Sequence, residues 1–258
     1  MTVDAISADD LGLLADTLRK TMSTASGQAL DKALAELGWL EMLSEMPNTA
    51  IPLVFRLLGE TGAHAPVIND VMGGETVPLP FAGNSWVVWD RSDETSTALD
   101  EELPIRRVDS GEDVPLATGR RALGWWLVGS SRAMLSLARE HALGRMQFGK
   151  PVASFQAIRH KLAETLVAIE GAEAALGAAT DDFTALLAKA AAGRAALTAA
   201  RHCQQVLGGI GFTNEHELHR HIKRVLVLDG LLGSTRELTC EAGARLREEG
   251  STPRLVHL

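Results

Sequence analysis

Cysteine is scarce in this 258-residue chain, which contains only Cys203 and Cys240. The two form no closely spaced pair with each other or with histidines. The sequence therefore has neither a disulfide framework nor a zinc-finger pattern. We expect reduced thiols and a cytoplasmic location.

The chain also lacks an excess of positive charge and a long apolar run. Its formal net charge is −8, which argues against a nucleic-acid partner because no basic stripe offsets it. The longest apolar candidate, GWWLVGSSRAMLSLA, is interrupted by an arginine and is too short to span a bilayer. The acidic N-terminal segment shows no signal-peptide pattern. These features favour a globular protein that has no membrane span and binds no nucleic acid.

The pattern of apolar residues divides the chain into three parts. Residues 7–65 carry apolar side chains at three- and four-residue spacings, which predict helices, and one helix is expected to open near Pro52. Residues 66–118 are rich in proline, glycine, aspartate and serine, and runs such as 86–89 predict a few short strands. Long helical patterns return at 119–249, and their short connections predict an antiparallel bundle of about four helices.

These patterns predict a mainly α fold. We expect a trimmed helical N-terminal domain at 1–66, a reduced β or loop domain at 67–118, a C-terminal helical bundle at 119–250 and a tail at 251–258. A chain of this length can bury a large core. Within the bundle, Asp181 and Asp182 mark the start of one helix, because acidic residues favour a helix N-terminus.

Two connections in the bundle carry unusual residues. RMQFGKPVASFQAI, at 145–158, separates two helical patterns and gathers an arginine, two glutamines and two phenylalanines. QQVLGGIGFTNEH ends a helix at Gly208 and Gly209, and the next helix is expected to start near Thr213 or Asn214. Adjacent glycines let a ligand approach the backbone, and free N–H groups before a helix suit a pyrophosphate. Each turn alone is more typical of a proline helix break or a glycine C-cap.

Together the two turns, which lie roughly fifty residues apart, resemble the C-terminal domain of the flavin-dependent acyl-CoA dehydrogenases. That family has a helical N-terminal domain, a small β-domain and a C-terminal four-helix bundle, in the order predicted here. The resemblance is closest over 119–249, and LAELGWLEML and LLGETGAHAPV extend it over 27–67. It implies an acyl-CoA dehydrogenase-like fold.

The resemblance implies that this chain contacts FAD across a subunit interface. In the family's R-x-x-F-G turn, the arginine, the residue two positions later and the phenylalanine reach the cofactor. Forked arginine donors suit phosphate oxygens, and an aromatic ring packs on a flat ring system. The corresponding residues of the first turn are Arg145, Gln147 and Phe148, with Phe155 and Gln156 continuing the contact. The second turn and the start of the last helix add Gln205, Val206, Leu207, Gly208, Gly209, Ser234 and Arg236.

The resemblance also implies a glutamate that takes the α-proton of an acyl thioester, but neither family position for it holds a carboxylate here. Counted without gaps from Gly211, one position falls on Leu232, which has no titratable proton. The other falls near Gly119, inside a stretch, 114–139, that contains no Asp or Glu. Asp229 is the nearest carboxylate, about one helical turn away. For Asp229 a capping or solvent-facing role is favoured over catalysis.

The middle segment also departs from the family, because residues 66–118 contain no T-E-P-x-A-G-S stretch to cradle flavin and substrate. The chain thus keeps the parts that reach a neighbouring subunit and lacks the parts that act within one subunit. Short chains of this kind resemble subunits of heterotetrameric family members that act on steroid-derived CoA esters. We therefore predict a non-catalytic subunit that shares FAD with a longer acyl-CoA dehydrogenase subunit. The longer chain would carry the glutamate, and acyl-CoA would be the substrate.

Two alternatives stay open. One is an active homomeric flavoenzyme that uses Asp229 or another carboxylate, and the other is a flavin-free helical scaffold. The spacing of His216, His219 and His221 does not place all three on one helical face, which argues against a metal site. The tryptophan pair 125–126 is expected in the core or at a subunit interface, with an acyl-pocket role as the lesser alternative.

Overall fold

The computed structural model describes residues 7–91, 99–112 and 114–251. Within these ranges the chain is mostly helical, which confirms the mainly α prediction. The first half contains α1 (Ala8–Thr24), α2 (Gly27–Glu36), α3 (Trp39–Glu45), α4 (Pro47–Thr61), α5 (Val67–Val71), β1 (Pro78–Phe81), β2 (Ser85–Trp89) and β3 (Ile105–Val108). The second half contains α6 (Ala117–Gly144), β4 (Met146–Gln147), β5 (Lys150–Pro151), α7 (Gln156–Ala178), α8 (Asp182–Leu207), α9 (Leu218–Gly230) and α10 (Thr235–Glu249). The predicted tail lies outside the described residues beyond Ser251, and the division into domains stays a prediction.

The N-terminal helices pack on the bundle through α4. The expectation that a helix opens near Pro52 is wrong, because α4 begins at Pro47 and Pro52 lies inside it. Pro47 occupies the first turn, where a missing N–H is harmless, whereas Pro52 removes one backbone hydrogen bond. The contact between α4 and α6 requires glycine on both helices. A Cβ on Gly59 would lie 2.4 Å from backbone atoms of α6, and a Cβ on Gly129 would lie 2.1 Å from a carbonyl of α4.

Helices α6 and α7 run antiparallel. Gly124 of α6 packs against Leu176 near the end of α7. Two turns further along α6, Arg132 donates to Glu173 at 2.6 Å, which lies earlier in α7. Their contact places the end of α6 beside the start of α7.

Helix α8 returns antiparallel to α7. It begins where the sequence predicts, because the Asp181 side chain accepts a hydrogen bond from the Thr184 N–H at 2.7 Å as part of a capping box. Near its other end, His202 Nδ1 lies 3.0 Å from Thr165 Oγ1 in the first half of α7. The prediction of an antiparallel bundle is confirmed.

A small sheet joins the N-terminal helices to the bundle. Its strands are antiparallel in the order β1-β2-β3, with Pro80 opposite Trp86 and Val87 opposite Arg107. The predicted strand at 86–89 is therefore confirmed. Trp89 at its end is fully buried and stacks on Trp126 of α6, with ring centroids 5.4 Å apart. This aromatic contact fixes the sheet against the bundle.

The described residues also bear on two other sequence features, the apolar runs and the two cysteines. Across those ranges, none of the helices combines the length and apolar character needed to cross a membrane. Cys203 and Cys240 are free thiols, and burial raises the pKa of the Cys203 thiol to about 12. Cys203 therefore behaves as a small core residue.

A buried arginine ties α9 to the turn before β3 and to the end of α4. Arg224 is 2% exposed, pairs with the Asp100 carboxylate and pairs with Glu102 at 3.0 Å. It also donates to the carbonyls of Gly62 and Ala63, each at 3.1 Å. A buried charge with this many partners is strongly destabilised when one partner is removed.

Acid is expected to destabilise the fold through two histidines beside this arginine. Burial, aided by the positive charge of Arg224, lowers the pKa of His64 and of His221 to about 4 in each case. Between pH 6.5 and 4 the unfolded chain binds protons that the folded chain does not bind. Stability is therefore full above pH 6.5 and falls toward pH 4. Urea unfolding at pH 7.5 and 5.0 should show a loss of about 2 kcal/mol per histidine. An unchanged pH dependence in His221→Gln would contradict this account.

Candidate cofactor and active site

The R-x-x-F-G turn is a two-residue β-hairpin. Helix α6 ends at Gly144, and β4 and β5 then pair around Phe148 and Gly149. Both residues have positive φ, 52° and 77° respectively, as in the type I′ turns that join tight hairpins. The interpretation of Pro151 as the helix breaker is therefore wrong, because the helix has already ended and Pro151 lies in β5.

Phe148 sits at the tip of this hairpin in an unusual state. Its side chain is 91% exposed, and its left-handed backbone is costly for a bulky residue. The ring makes an edge-to-face contact with Phe155, with centroids 6.1 Å apart, and the Lys150 ammonium lies 4.5 Å from the Phe155 centroid. An exposed aromatic ring on a strained backbone indicates a role outside the chain's own core.

The polar residues of the hairpin are also exposed. Arg145, Gln147 and Gln156 all face solvent. The Arg145 backbone N–H closes the last turn of α6 by donating to His141 O at 2.8 Å. Its guanidinium has no hydrogen bond or ion pair within 7–91, 99–112 and 114–251. The side chain therefore does not cap the α6 carbonyls and is available to an anion.

The second turn begins with a glycine C-cap, as the sequence predicts. Gly208 has φ 65°, and its N–H donates to the carbonyls of Gln204 and Gln205. Of the predicted cofactor residues here, Gln205 and Gly209 are exposed, whereas Val206 and Leu207 are buried in the core. Any contact from the buried pair would have to come from their backbone.

The next helix starts later than expected. The prediction of a start near Thr213 or Asn214 is wrong, because a 3₁₀ turn at Gly208–Phe212 intervenes and α9 begins at Leu218. His216 explains the delay, since its Nδ1 accepts a hydrogen bond from the Leu218 N–H at 3.1 Å. The histidine ring thus satisfies a donor at the helix start.

The hairpin and the second turn lie at the same end of the bundle. The antiparallel order of α6, α7 and α8 puts both beside the start of α7. The electrostatics are consistent with this proximity. The pKa of His141, at the end of α6, is lowered by burial and also by Arg145 of the hairpin and His216 beyond the second turn. This end of the bundle therefore gathers Arg145, Gln147, Phe148, Phe155, Gln156, Gln205, Val206, Leu207, Gly208 and Gly209.

The two family positions for the catalytic base meet at one point near the opposite end of α6. A Cβ on Gly119 would lie 2.7 Å from Leu232 Cδ1 and 2.5 Å from Met72 Sδ. Leu232 is fully buried and has φ 58°, a left-handed conformation that is rare for leucine. The point is therefore occupied by the Leu232 and Met72 side chains, neither of which can accept a proton at neutral pH.

Strand β1 closes the loop that carries Leu232. The Leu232 N–H donates to Pro80 O, and the Ala82 N–H donates to Gly230 O, both at 2.8 Å. Gly230 also lies directly under the Phe81 ring, where a Cβ would approach within 2.6 Å. These contacts hold the loop against the sheet.

Two buried basic side chains hold the same loop from the bundle side. Lys189 of α8 is 1% exposed and donates to Asp229 O at 3.0 Å and to Gly233 O at 2.6 Å, and Arg120 of α6 donates to Leu232 O at 3.3 Å. Burial lowers the pKa of Lys189 to about 7. Sequence reasoning missed both residues. The available signal was a lone lysine among the alanines of α8, because a cation on an apolar helix face is seldom buried without partners.

The Asp229 carboxylate has a structural role at the start of α10. It accepts hydrogen bonds from the N–H and hydroxyl of Thr235, which is the capping role favoured from the sequence. Ser234 forms a capping box with Glu237 at the same helix start, and Arg236 is exposed. The cofactor role predicted for Ser234 and Arg236 stays a prediction.

The cofactor hairpin and the base position are far apart within one chain. Gly119 and Arg145 are 26 positions apart along α6, which corresponds to about 39 Å at the rise of an α-helix. Ser234 and Arg236 lie near the base position, because they follow Leu232 by only two and four residues. The predicted site residues thus fall into two groups at opposite ends of the bundle.

The sequence over 113–245, about half of the chain, matches the family described as Acyl-CoA dehydrogenase, C-terminal domain. This chain belongs to the acyl-CoA dehydrogenase family. The match runs from α6 into α10, so both turns and the base position lie within it.

Relatives from Mycobacterium tuberculosis cover more of the chain than this domain. The acyl-CoA dehydrogenase IpdE2 is 29% identical over 260 residues, covering 89% of this chain and 82% of that protein. The acyl-CoA dehydrogenase FadE34 is 34% identical over 221 residues, covering 73% of this chain but only 31% of its own length. This chain therefore spans most of one acyl-CoA dehydrogenase and about a third of the other.

Solved structures show the same fold over nearly the whole chain. The ChsE4–ChsE5 complex from Mycobacterium tuberculosis aligns with a TM-score of 0.73 at 18% identity, covering 97% of this chain and 99% of that chain. A variant of the Tcur3481–Tcur3483 steroid ACAD aligns with a TM-score of 0.72, also at 18% identity, covering 95% and 99%. At this level of identity, both alignments show only that the proteins share a fold.

Proposed function

We propose that this chain is the non-catalytic subunit of a heteromeric FAD-dependent acyl-CoA dehydrogenase. The observation that carries the proposal is the meeting of Gly119 and Leu232 at one point that holds no carboxylate. A general base must lie within hydrogen-bond reach of the proton it takes. Leu232 and Met72 fill the place where that base would stand, so a longer partner subunit supplies the glutamate.

The hairpin supplies the chain's contribution to the partner's cofactor. The exposed Arg145 guanidinium, which has no partner in the described ranges, suits a pyrophosphate, and Gln147 offers further donors beside it. The exposed Phe148 ring suits packing against a planar ring. When bound, FAD supplies the hydride acceptor for α,β-dehydrogenation. The separation of about 39 Å along α6 supports contact with a cofactor held in another subunit.

The substrate proposed for the complex is an acyl-CoA thioester derived from a steroid. The fold shared with the steroid ACAD Tcur3481–Tcur3483 supports this class, and the fold shared with the ChsE4–ChsE5 complex supports assembly with a second subunit. In this arrangement the acyl pocket lies mainly in the partner, because the base position of this chain is filled. We propose a cytoplasmic location for the complex.

Two alternatives are less well supported. An active homomeric flavoenzyme would need Asp229 or another carboxylate as its base, and the Asp229 carboxylate is engaged with Thr235 at the start of α10. A flavin-free scaffold would have no use for Phe148, whose strained and exposed conformation is costly. The scaffold also leaves the exposed Arg145, Gln147 and Phe148 side chains of the hairpin without a role.

Flavin content after purification tests the proposal. The chain would be expressed alone and together with a longer acyl-CoA dehydrogenase encoded beside it, and flavin absorbance would be measured after size-exclusion chromatography. We expect stoichiometric flavin only in the co-purified complex. Flavin in the isolated chain would support the homomeric enzyme, and no flavin in a stable complex would support the scaffold. Either result would refute the proposal.

A further inference from the structure

A second concave site lies between one face of the sheet and α9. This groove encloses about 440 Å³, within the range of roughly 300–1,000 Å³ that is typical of small-molecule pockets. Its apolar surface comes from Phe81, Val87 and Ile105 of the sheet, Leu226 and Val227 of α9, and Leu99. None of these residues belongs to the predicted cofactor or base positions.

The rim of the groove exposes apolar surface to solvent. Leu99 is 56% exposed and Leu226 is 45% exposed. Phe81 lies opposite Ser85 in the strand register, and Ser85 and Val87 share a face of β2 because residues two positions apart along a strand point to the same side. A ligand in the groove would cover both leucines and contact this face.

One unpaired cation lines the groove. Arg107 lies opposite Val87 in the strand register, and its guanidinium has no hydrogen bond or ion pair in the described parts of the chain. The neighbouring Arg106 points to the other face of the sheet and pairs with Asp90 at 3.8 Å. No acidic residue lines the groove among the residues described. The groove therefore presents a positive charge at the edge of an apolar surface.

Ser85, the other polar residue that lines the groove, narrows the chemical class of ligand that the groove can bind. Ser85 donates its hydroxyl hydrogen to Ala82 O at 3.0 Å, so its oxygen is left as an acceptor and cannot help to hold an anion. Arg107 is then the anion-binding group, and its planar fork matches a carboxylate. We propose that this groove binds an amphipathic carboxylate, with the apolar body against the sheet and α9 and the carboxylate on Arg107. The site stands independently of the flavin role proposed above.

Calorimetric titration with dodecanoate, kept below micelle formation, tests this site. The probe would be titrated into the full-length chain and into the co-purified complex, with dodecanol as the uncharged match. We expect saturable binding of dodecanoate in both preparations and clearly weaker binding of dodecanol. Arg107→Gln should weaken dodecanoate binding about tenfold or more, as expected for a lost charge-assisted hydrogen bond.

Arg106→Gln is the matched control, because it removes the same charge from the adjacent position on the opposite face. It should leave dodecanoate binding unchanged, and circular dichroism should show that both variants are folded. Equal loss in the two variants would indicate non-specific attraction and overturn the proposal. Absence of saturable binding would also overturn it. Binding to the isolated chain that disappears in the complex would identify the groove as a subunit interface instead.

Discussion

The isolated chain, supplied with FAD and an artificial electron acceptor, is expected to oxidise acyl-CoA at a negligible rate. The physical reason is the filled base position, where Leu232 is fully buried against Gly119. A positioned general base typically contributes ~10² to 10⁴ in rate, and no carboxylate within 114–139 replaces it. The measurement is steady-state turnover of several acyl-CoA esters, with the co-purified complex as the active reference.

A turnover of about 1 s⁻¹ or more by the isolated chain would be ordinary for an enzyme and would contradict this expectation. Asp229→Asn would then decide between two explanations. Loss of the activity would make Asp229 the base despite its bonds to Thr235, whereas retained activity would point to another group. In the heteromeric complex, Asp229→Asn should leave turnover unchanged, apart from the stability lost with a weakened helix cap.

Arg145→Ala is expected to loosen FAD in the heteromeric complex without unfolding this subunit. A charge-assisted hydrogen bond to a pyrophosphate contributes roughly 1.5 to 3 kcal/mol, so FAD binding should weaken about ten- to hundredfold. Stability should change little, because the Arg145 side chain is exposed and has no partner in the described ranges. Flavin content and the melting temperature of the complex report the two effects separately.

Arg139→Ala provides the matched control for this experiment. Arg139 is also exposed and lies on the same helix, but it stands before the hairpin, so flavin occupancy should be unaffected. Full occupancy together with a lowered melting temperature in Arg145→Ala would show that Arg145 stabilises the end of α6 instead. Equal flavin loss in both variants would indicate a general charge effect.

Local rules predicted the elements whose signals lie within one segment. The capping box at Asp181 and the glycine C-cap at Gly208 are satisfied by neighbours a few residues away, so both helix ends were predicted correctly. The prediction that a helix begins near Pro52 was wrong, because tertiary packing of α4 on α6 outweighs the loss of one backbone hydrogen bond. The predicted start of α9 was wrong, because the His216 ring accepts a hydrogen bond from the Leu218 N–H. No propensity rule anticipates this contact.

The sequence by itself determined the chemistry that is present and absent. It contains the two turns of the family, a leucine at one base position, and no carboxylate near the other. Only the tertiary structure decided that Gly119 and Leu232 meet, and that the Arg145 hairpin and the Gly208 turn lie at the same end of the bundle. The reason is that helix packing brings together residues more than one hundred positions apart, through contacts between faces that no local spacing encodes.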